Sequence, residues 1–136
     1  MKFNKLIPEL SVSNIEESKK FYLNLGFKIK YERLENKFCF LELEENQLMI
    51  EEINNNWNTG ELEYPFGRGI NISMEVNNIN LIYQKAIQNN YNIFKNIMTN
   101  KYRVGDNLIE EHEFLIQDPD GYLLRFFEDI GEKDIC

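Results

Sequence analysis

The fold is decided by Val12-Ser13-Asn14-Ile15, a stretch that returns 64 residues later as Val76-Asn77-Asn78-Ile79. The same offset carries Gly26-Phe27-Lys28-Ile29 onto Asn90-Tyr91-Asn92-Ile93. In each copy an Asn precedes apolar residues at helical spacing, and an extended segment follows. A period of this length that occurs once predicts a duplicated supersecondary unit rather than a solenoid of many short repeats.

Each copy carries the start and stop signals of one helix. Asn14 is placed to cap a helix that ends at Gly26, and Asn78 is placed to cap a helix that ends near residues 89–90. Alternation and turn residues predict four strands in each half, with Pro8 marking the first as an edge strand. The predicted strands are 6–12, 27–33, 38–43, 48–53, 69–76, 91–98, 113–117 and 122–128. A long loop is expected between the sixth and seventh strands.

These elements divide the chain into two βαβββ units within a single domain. The first unit covers residues 1–53 and the second covers residues 69–130. Between them, residues 54–68 are polar and punctuated by Gly and Pro, which predicts a linker, and residues 131–136 form a tail. Helices are expected on one face of each sheet, which leaves the opposite face free.

The charge balance excludes some classes of partner. The chain has 136 residues, of which 23 are acidic and 15 basic, so its formal net charge is −8. A nucleic-acid binder usually shows a basic surface, whereas an acidic surface favours cationic partners or simply keeps a protein soluble.

No apolar stretch approaches the roughly 20 residues of a membrane span. The two cysteines, Cys39 and Cys136, make no disulfide framework, so we expect a cytoplasmic protein without nucleic-acid or membrane partners.

Three further motifs accompany the repeat, one in the first unit, one at the end of the linker and one in the second unit. They are Leu48-Met49-Ile50-Glu51, Tyr64-Pro65-Phe66-Gly67-Arg68-Gly69, and residues 114–126 with the turn Asp118-Pro119-Asp120-Gly121. Together with the repeat, this series resembles the glyoxalase/bleomycin resistance protein/dioxygenase (vicinal oxygen chelate) superfamily over nearly the whole chain. The resemblance implies an α+β fold, in which two βαβββ units form a cupped, mostly antiparallel eight-stranded sheet with helices on its outer face.

The resemblance also identifies the positions at which enzymes of the superfamily hold a divalent metal. Those positions match Ile7, Asn71 and Arg125, and in the fourth strand either Met49 or Glu51. An aliphatic side chain, an amide and a cation do not make a metal site, because catalytic sites generally use three protein ligands and usually include imidazole. We therefore expect no metal and no cofactor.

Enzymatic alternatives remain open at this point. His112 is the chain's only histidine and is expected to be solvated ahead of a strand, but a metal site with Glu110 is the alternative. A lyase, isomerase or transferase of the glyoxalase type is possible with such a metal. Without a metal, Glu9 or Glu51 is the candidate general base, and Arg125 is the group that would stabilise an enolate.

The expected ligand follows from the residues that alternation places in the cup. The predicted ligand-binding residues in the cup are Phe38, Phe40, Met49, Glu51, Asn71 and Arg125. Two more, Trp57 in the linker and Tyr102 in the long loop, are expected to close over the ligand. Aromatic faces stack on rings and attract cations, so a flat cationic organic molecule suits this composition. The alternative for both phenylalanines is packing in the core or in an interface. The alternative for Trp57 is to anchor the linker.

The resemblance is strongest to bleomycin-resistance-type members, because Arg125 stands in a Leu-Leu-Arg run after Asp-Pro-Asp-Gly. It implies antibiotic resistance by sequestering a cationic aromatic drug or small metabolite without chemistry. It also implies a homodimer whose ligand clefts lie between the subunits. The structural alternative for Arg125 is an ion pair with Glu9 or Glu51 that fills the vacated metal pocket.

Overall fold

The computed structural model describes residues 1–134, which form two units with the same order of elements. The first unit consists of β1 (Glu9–Val12), α1 (Ile15–Leu25), β2 (Lys28–Arg33), a short 3-10 helix (Leu34–Asn36), β3 (Phe38–Leu43) and β4 (Asn46–Glu52). The second consists of β5 (Asn71–Glu75), α2 (Ile79–Gln88), β6 (Asn92–Val104), β7 (Asn107–Gln117) and β8 (Leu123–Asp134). The duplicated unit is therefore confirmed, since α1 and α2 begin 64 residues apart.

Both helices begin and end as their local signals predict. The side chain of Asn14 accepts hydrogen bonds from the N–H groups of Glu16 and Glu17, and Asn78 caps α2 in the same way. The chain leaves α1 at Gly26 with a φ of 119°. After α2 it turns at Asn90 with a φ of 56°, the left-handed conformation that Asn tolerates. No helix among residues 1–134 is long and apolar enough to cross a membrane.

The eight strands are divided equally between two sheets, one from each half. The strand orders are β1-β4-β3-β2 and β5-β8-β7-β6. The pairs β1–β4 and β5–β8 are parallel and the other four pairs are antiparallel. The α+β class with two βαβββ units is thus confirmed, and β1 is an edge strand that directly follows Pro8.

Several predicted strand boundaries change. Strand β6 continues to Val104 and β7 begins at Asn107, so the expected long loop is a tight hairpin instead. Strand β8 runs to Asp134 beside β7, so residues 131–134 of the predicted tail are strand, while Cys136 lies outside the described residues. The first strand starts at Glu9 rather than at residue 6.

The core lies between the helices and the sheets and is shared by the two halves. The Phe27 ring of the first half contacts the Phe126 ring of the second, which stacks on Phe114. The largest fully buried side chains are Tyr22, Phe40, Phe114, Phe126, Leu25, Leu41, Leu48, Ile50, Ile79, Ile116, Leu124 and Val12. Burial on both sides of the repeat makes the halves parts of one packed unit.

The turn between β7 and β8 also joins the two halves. The Asp120 carboxylate accepts hydrogen bonds from the Ser13 hydroxyl at 2.5 Å and from its backbone N–H at 3.0 Å. The Asp118 carboxylate accepts one from the hydroxyl of buried Tyr22 at 2.8 Å. The Asp-Pro-Asp-Gly motif therefore does more than turn the chain, because both of its carboxylates reach residues of the first unit.

Candidate functional site

Each sheet packs one face against its helix and turns the other face away from it. The face of the first sheet opposite α1 carries Glu9, Met49 and Glu51, because strand register aligns Glu9 with Met49 and alternation places Glu51 on the same side. We call it the Glu51 face. The corresponding face of the second sheet carries Ser73 and Arg125 side by side, and we call it the Arg125 face. The predicted site residues are thus divided between two faces.

Glu51 is the centre of the first face. Its side chain is buried, and Oε1 accepts hydrogen bonds from the indole N–H of Trp57 at 3.2 Å and from the Asn54 amide. Trp57 itself is 65% exposed. This carboxylate therefore folds the linker over the sheet and leaves the indole ring accessible. Beside it is a cleft of about 580 Å³ lined by Arg33, Glu35, Asn36, Lys37, Glu51, Glu52, Ile53, Asn54, Asn56 and Trp57.

The carboxylates of Glu9 and Glu51 and the guanidinium of Arg33 act on one another on the Glu51 face. Partial loss of water around Glu9, together with the nearby Glu51 carboxylate, raises the pKa of Glu9, and Arg33 opposes this shift. The guanidinium of Arg33 lies 4.0 Å from the centre of the Phe38 ring, in cation–π contact. Arg33 is therefore held against an aromatic ring, and the cleft beside this face has three carboxylates (Glu35, Glu51 and Glu52) and two cations (Arg33 and Lys37) in its lining.

The aromatic rings predicted to stack on a ligand are covered by the chain itself. Phe38 and Phe40 are only 3% and 1% exposed. The Phe40 ring stacks on Tyr31 at 5.2 Å and meets the edge of Phe3, from the N-terminal segment, at 5.3 Å. The structure thus places both rings in internal packing, and a ligand reaches Phe40 only if Phe3 moves.

Arg125 belongs to a buried polar network on the second face. Its Nε lies 3.3 Å from Oε1 of Glu113, but its N–H is not directed at that oxygen, so the contact is ionic without a hydrogen bond. Glu113 is 3% exposed, and its Oε2 accepts hydrogen bonds from the Tyr102 hydroxyl at 2.8 Å and from the Asn100 amide. Tyr102 is therefore fixed in a strand by its hydroxyl rather than carried on a loop.

The predicted ion pair of Arg125 with Glu9 or Glu51 is wrong. Those two carboxylates belong to the first sheet, whereas Arg125 lies in β8 and takes its partner, Glu113, from the neighbouring strand β7. Sequence reasoning missed Glu113 although it lay in a predicted strand. The available signal was alternation: Glu113 stands two residues before Leu115, which is paired with Arg125, and so shares its face.

A smaller pocket of about 190 Å³ lies beside this network. It is lined by Ser73, Tyr102, Val104, Ile109, Glu111, Arg125 and Phe127. Loss of water and the neighbouring Glu113 carboxylate raise the pKa of Glu111, with Arg125 opposing. Asn71, the remaining predicted ligand contact, is an exposed residue at the start of β5 and does not line this pocket.

The comparisons with known proteins bear on this arrangement. A family model for the Glyoxalase/Bleomycin resistance protein/Dioxygenase superfamily matches residues 6–126. The chain belongs to this superfamily. A superfamily member from Vibrio splendidus 12B01 is 32% identical, with 90% of this chain and 95% of that one covered and a TM-score of 0.43.

More distant structures share the superfamily fold. A glyoxalase/bleomycin resistance protein/dioxygenase from Alicyclobacillus acidocaldarius is 17% identical with a TM-score of 0.66, covering 94% of this chain and 92% of that one. TioX from Micromonospora sp. ML1 is 10% identical with a TM-score of 0.70, covering 94% and 100%. Among curated proteins, none matches the chain significantly.

The residues of this superfamily member do not fit a divalent metal. Ile7 is aliphatic, Asn71 is exposed, and Arg125 presents a cation that is paired with Glu113. Glu51 already accepts two hydrogen bonds from the linker. Within residues 1–134, no group of three or more His, Cys, Asp or Glu side chains is arranged to hold a metal ion.

The histidine alternative does not supply the missing ligands. His112 lies within β7, paired with Thr99 of β6, rather than ahead of a strand in a polar run. Its immediate neighbour Glu111 lines the Arg125-face pocket, so His112 itself points to the other side of the sheet. The shallow pocket there is lined by Asn80, Ile97, Met98, Thr99 and His112, and it offers no carboxylate.

Proposed function

We propose that this chain is a bleomycin-resistance-like binding protein that sequesters a cationic aromatic small molecule in the cleft beside Trp57, with no bond made or broken. The observation that carries the proposal is the Glu51 carboxylate. This carboxylate is buried and accepts a hydrogen bond from the indole N–H of Trp57. It also lines an open cleft next to that exposed aromatic ring. The cleft's 580 Å³ falls in the range of roughly 300–1,000 Å³ that suits drug-sized ligands.

The chemistry of the cleft supports a cation with a flat ring. An indole face attracts a cation by about 0.5–2 kcal/mol, depending on how far the pair is removed from water. The cleft is lined by three carboxylates, those of Glu35, Glu51 and Glu52, and by two cations, Arg33 and Lys37. The surplus of negative charge attracts a cationic ligand. The three asparagines at positions 36, 54 and 56 supply amide donors and acceptors that orient polar substituents.

The proposal includes a cytoplasmic homodimer that serves in antibiotic resistance. Resemblance to bleomycin-resistance-type members supports the dimer, in which the cleft would lie between subunits. A molar mass of a single chain, measured by light scattering at micromolar concentration, would remove this part of the proposal.

Titration of the indole fluorescence tests the binding site directly, because Trp57 is the only tryptophan. Bleomycin and ethidium serve as cationic aromatic probes, and a naphthalenesulfonate serves as the anionic control. We expect saturable quenching by at least one cationic probe, and at least about tenfold weaker binding, or about 1.4 kcal/mol, in Glu51→Gln. Glu17→Gln, on the exposed side of α1, makes the same charge change away from the cleft and should bind as the wild type does.

Three results would contradict this function. The first is quenching by the sulfonate equal to that by the cations. The second is unchanged affinity in Glu51→Gln. The third is conversion of the bound probe to a product detected by mass spectrometry, which would instead favour the metal-free enzyme with Glu9 as its base.

A further inference from the structure

The guanidinium of Arg125 is incompletely satisfied. Its Nε is buried and donates no hydrogen bond, although it lies 3.3 Å from a Glu113 oxygen. Within residues 1–134, no protein group accepts a hydrogen bond from its terminal nitrogens, and the side chain is 36% exposed. A planar fork of five N–H donors that makes only one ionic contact is suited to a planar two-oxygen acceptor arriving from outside.

The surroundings of this guanidinium combine opposite charges with an apolar wall. Ser73 of the adjacent parallel strand places a hydroxyl next to Arg125, and Glu111 places a carboxylate in the same pocket. Val104, Ile109 and Phe127 supply the apolar part of the same lining. At about 190 Å³ the pocket is smaller than the roughly 300–1,000 Å³ of drug-sized sites, so its ligand is correspondingly small.

We propose that this pocket binds a free α-amino acid with an apolar side chain. The ligand carboxylate bonds to the Arg125 guanidinium and the Ser73 hydroxyl, the ammonium faces Glu111, and the side chain lies on the apolar wall. A simple anion would meet the carboxylates of Glu111 and Glu113, and a simple cation would meet the guanidinium. A small zwitterion, which carries both charges, pairs with both groups, and an α-amino acid is a zwitterion of this size.

This site is separate from the Trp57 cleft and does not depend on it. The pocket lies on the second sheet, and none of the residues that line the cleft beside Trp57 lines it. Loss of amino-acid binding therefore leaves the fluorescence titration of the first face unchanged. Failure of the proposed drug binding likewise leaves the amino-acid site intact, so the two proposals fail independently.

Calorimetry with a set of matched ligands tests the proposal on the full chain. L-Leucine is compared with L-leucinamide, which lacks the carboxylate, with N-acetyl-L-leucine, which lacks the ammonium, and with glycine, which lacks the side chain. We expect leucine to bind one per chain and each of the other three to bind at least about tenfold more weakly. Absence of leucine binding at millimolar concentration overturns the proposal, and so does equal binding of leucinamide or N-acetyl-leucine.

Variants assign the charges to residues. Arg125→Gln should abolish leucine binding, whereas Arg103→Gln, on the hairpin but outside the pocket, should not. Glu111→Gln should weaken binding, whereas Glu110→Gln, its neighbour on the opposite side of the strand, should not. Circular dichroism and the intrinsic fluorescence spectrum of Trp57 verify that each variant is folded.

Arg125→Gln leaves the buried Glu113 carboxylate without its cation, so this variant is the one most at risk of misfolding. If it does not fold, Glu111→Gln and Ser73→Ala decide the question, because neither removes a partner of a buried charge. Unchanged leucine affinity in both of these folded variants overturns the proposal.

Discussion

Asp118 is a buried carboxylate at the start of the turn between β7 and β8, and it is 3% exposed. One oxygen accepts from the Tyr22 hydroxyl, and the other accepts from the N–H groups of Asp120 and Tyr122 at 2.9 Å each. Burial nevertheless raises the pKa of Asp118 from 3.8 to about 6, against the opposite effect of these three donors. The folded protein therefore binds this proton more tightly than the unfolded chain does.

A pH-dependent contribution to stability follows from this raised pKa. The contribution is fully present below the unfolded pKa near 3.8 and is lost as the pH rises through about 6. A shift of two units corresponds to at most about 3 kcal/mol, on the order of 1.4 kcal/mol per unit. Between about pH 4 and about pH 7, we expect the free energy of unfolding of the wild type to fall by up to about 3 kcal/mol relative to that of Asp118→Asn.

Urea unfolding of both proteins across this pH range measures the difference, in which the titration of all other groups cancels. Asp106→Asn, at an exposed turn position, is the control and should track the wild type at every pH. A difference between wild type and Asp118→Asn that stays constant from pH 4 to 7 would contradict the assignment.

At the scale of elements, the hairpin of β6 and β7 differs most from what its residues suggest. Strand β6 is the edge of its sheet and bonds only to β7, whereas β7 lies between β6 and β8. An edge strand of an antiparallel pair has about half of its N–H groups bonded, and a central strand has nearly all of them bonded. We expect the amides of residues 107–112 to exchange with deuterium about tenfold more slowly, as a group, than those of residues 99–104.

Hydrogen exchange followed by mass spectrometry of short peptides gives this comparison within one sample. The amides of Glu110 and Glu111 flank a register irregularity and are expected to be the fastest in β7. Exchange of both segments at the rate of an unstructured peptide would show that the region is a loop after all.

The helices were predictable because their signals are local, but the hairpin and the site contacts were not. Caps, helical spacing and the left-handed stops are properties of a few neighbouring residues. Residues 101–104 alternate for too short a stretch to indicate a strand, and they become one because β8 extends far enough to support β7. The pair Glu51–Trp57 depends on how the linker folds back, which single-sequence patterns do not encode. For Arg125–Glu113, alternation indicates the face of each strand, but the cross-strand register that brings the two side chains together is not encoded in the pattern.

At the scale of the whole molecule, a few close polar contacts hold the two duplicated units together alongside the shared core. Asp120 reaches Ser13, and the Tyr122 hydroxyl donates to the carbonyl of Ser11 at 2.8 Å. Gly121 fits here because its φ is +93° and because a Cβ would lie 2.5 Å from that of Pro65. We expect contacts of this kind to make the halves unfold as one cooperative unit, although each has its own sheet and helix.

A double-mutant cycle measures how strongly this docking depends on one contact. Ser13→Ala and Asp120→Ala should each lower the free energy of unfolding by about 1–3 kcal/mol, because each leaves a partner unsatisfied. Their effects should be less than additive, with a coupling energy on the order of 0.5–3 kcal/mol. Ser13→Ala combined with Asp129→Ala, whose carboxylate bonds only within β8 to the N–H of Gly131, is the control and should be additive.

The same variants separate two views of how duplicated units cooperate. Trp57 fluorescence reports the first unit and its linker, and far-ultraviolet circular dichroism reports both sheets. If the polar docking is needed for cooperativity, the two signals coincide in the wild type and diverge in Ser13→Ala/Asp120→Ala, since the halves then unfold separately. Coincident transitions in the double variant would mean that the shared Phe27–Phe126 packing alone couples the halves. The contact between Asp120 and Ser13 would then not be needed for the two halves to unfold together.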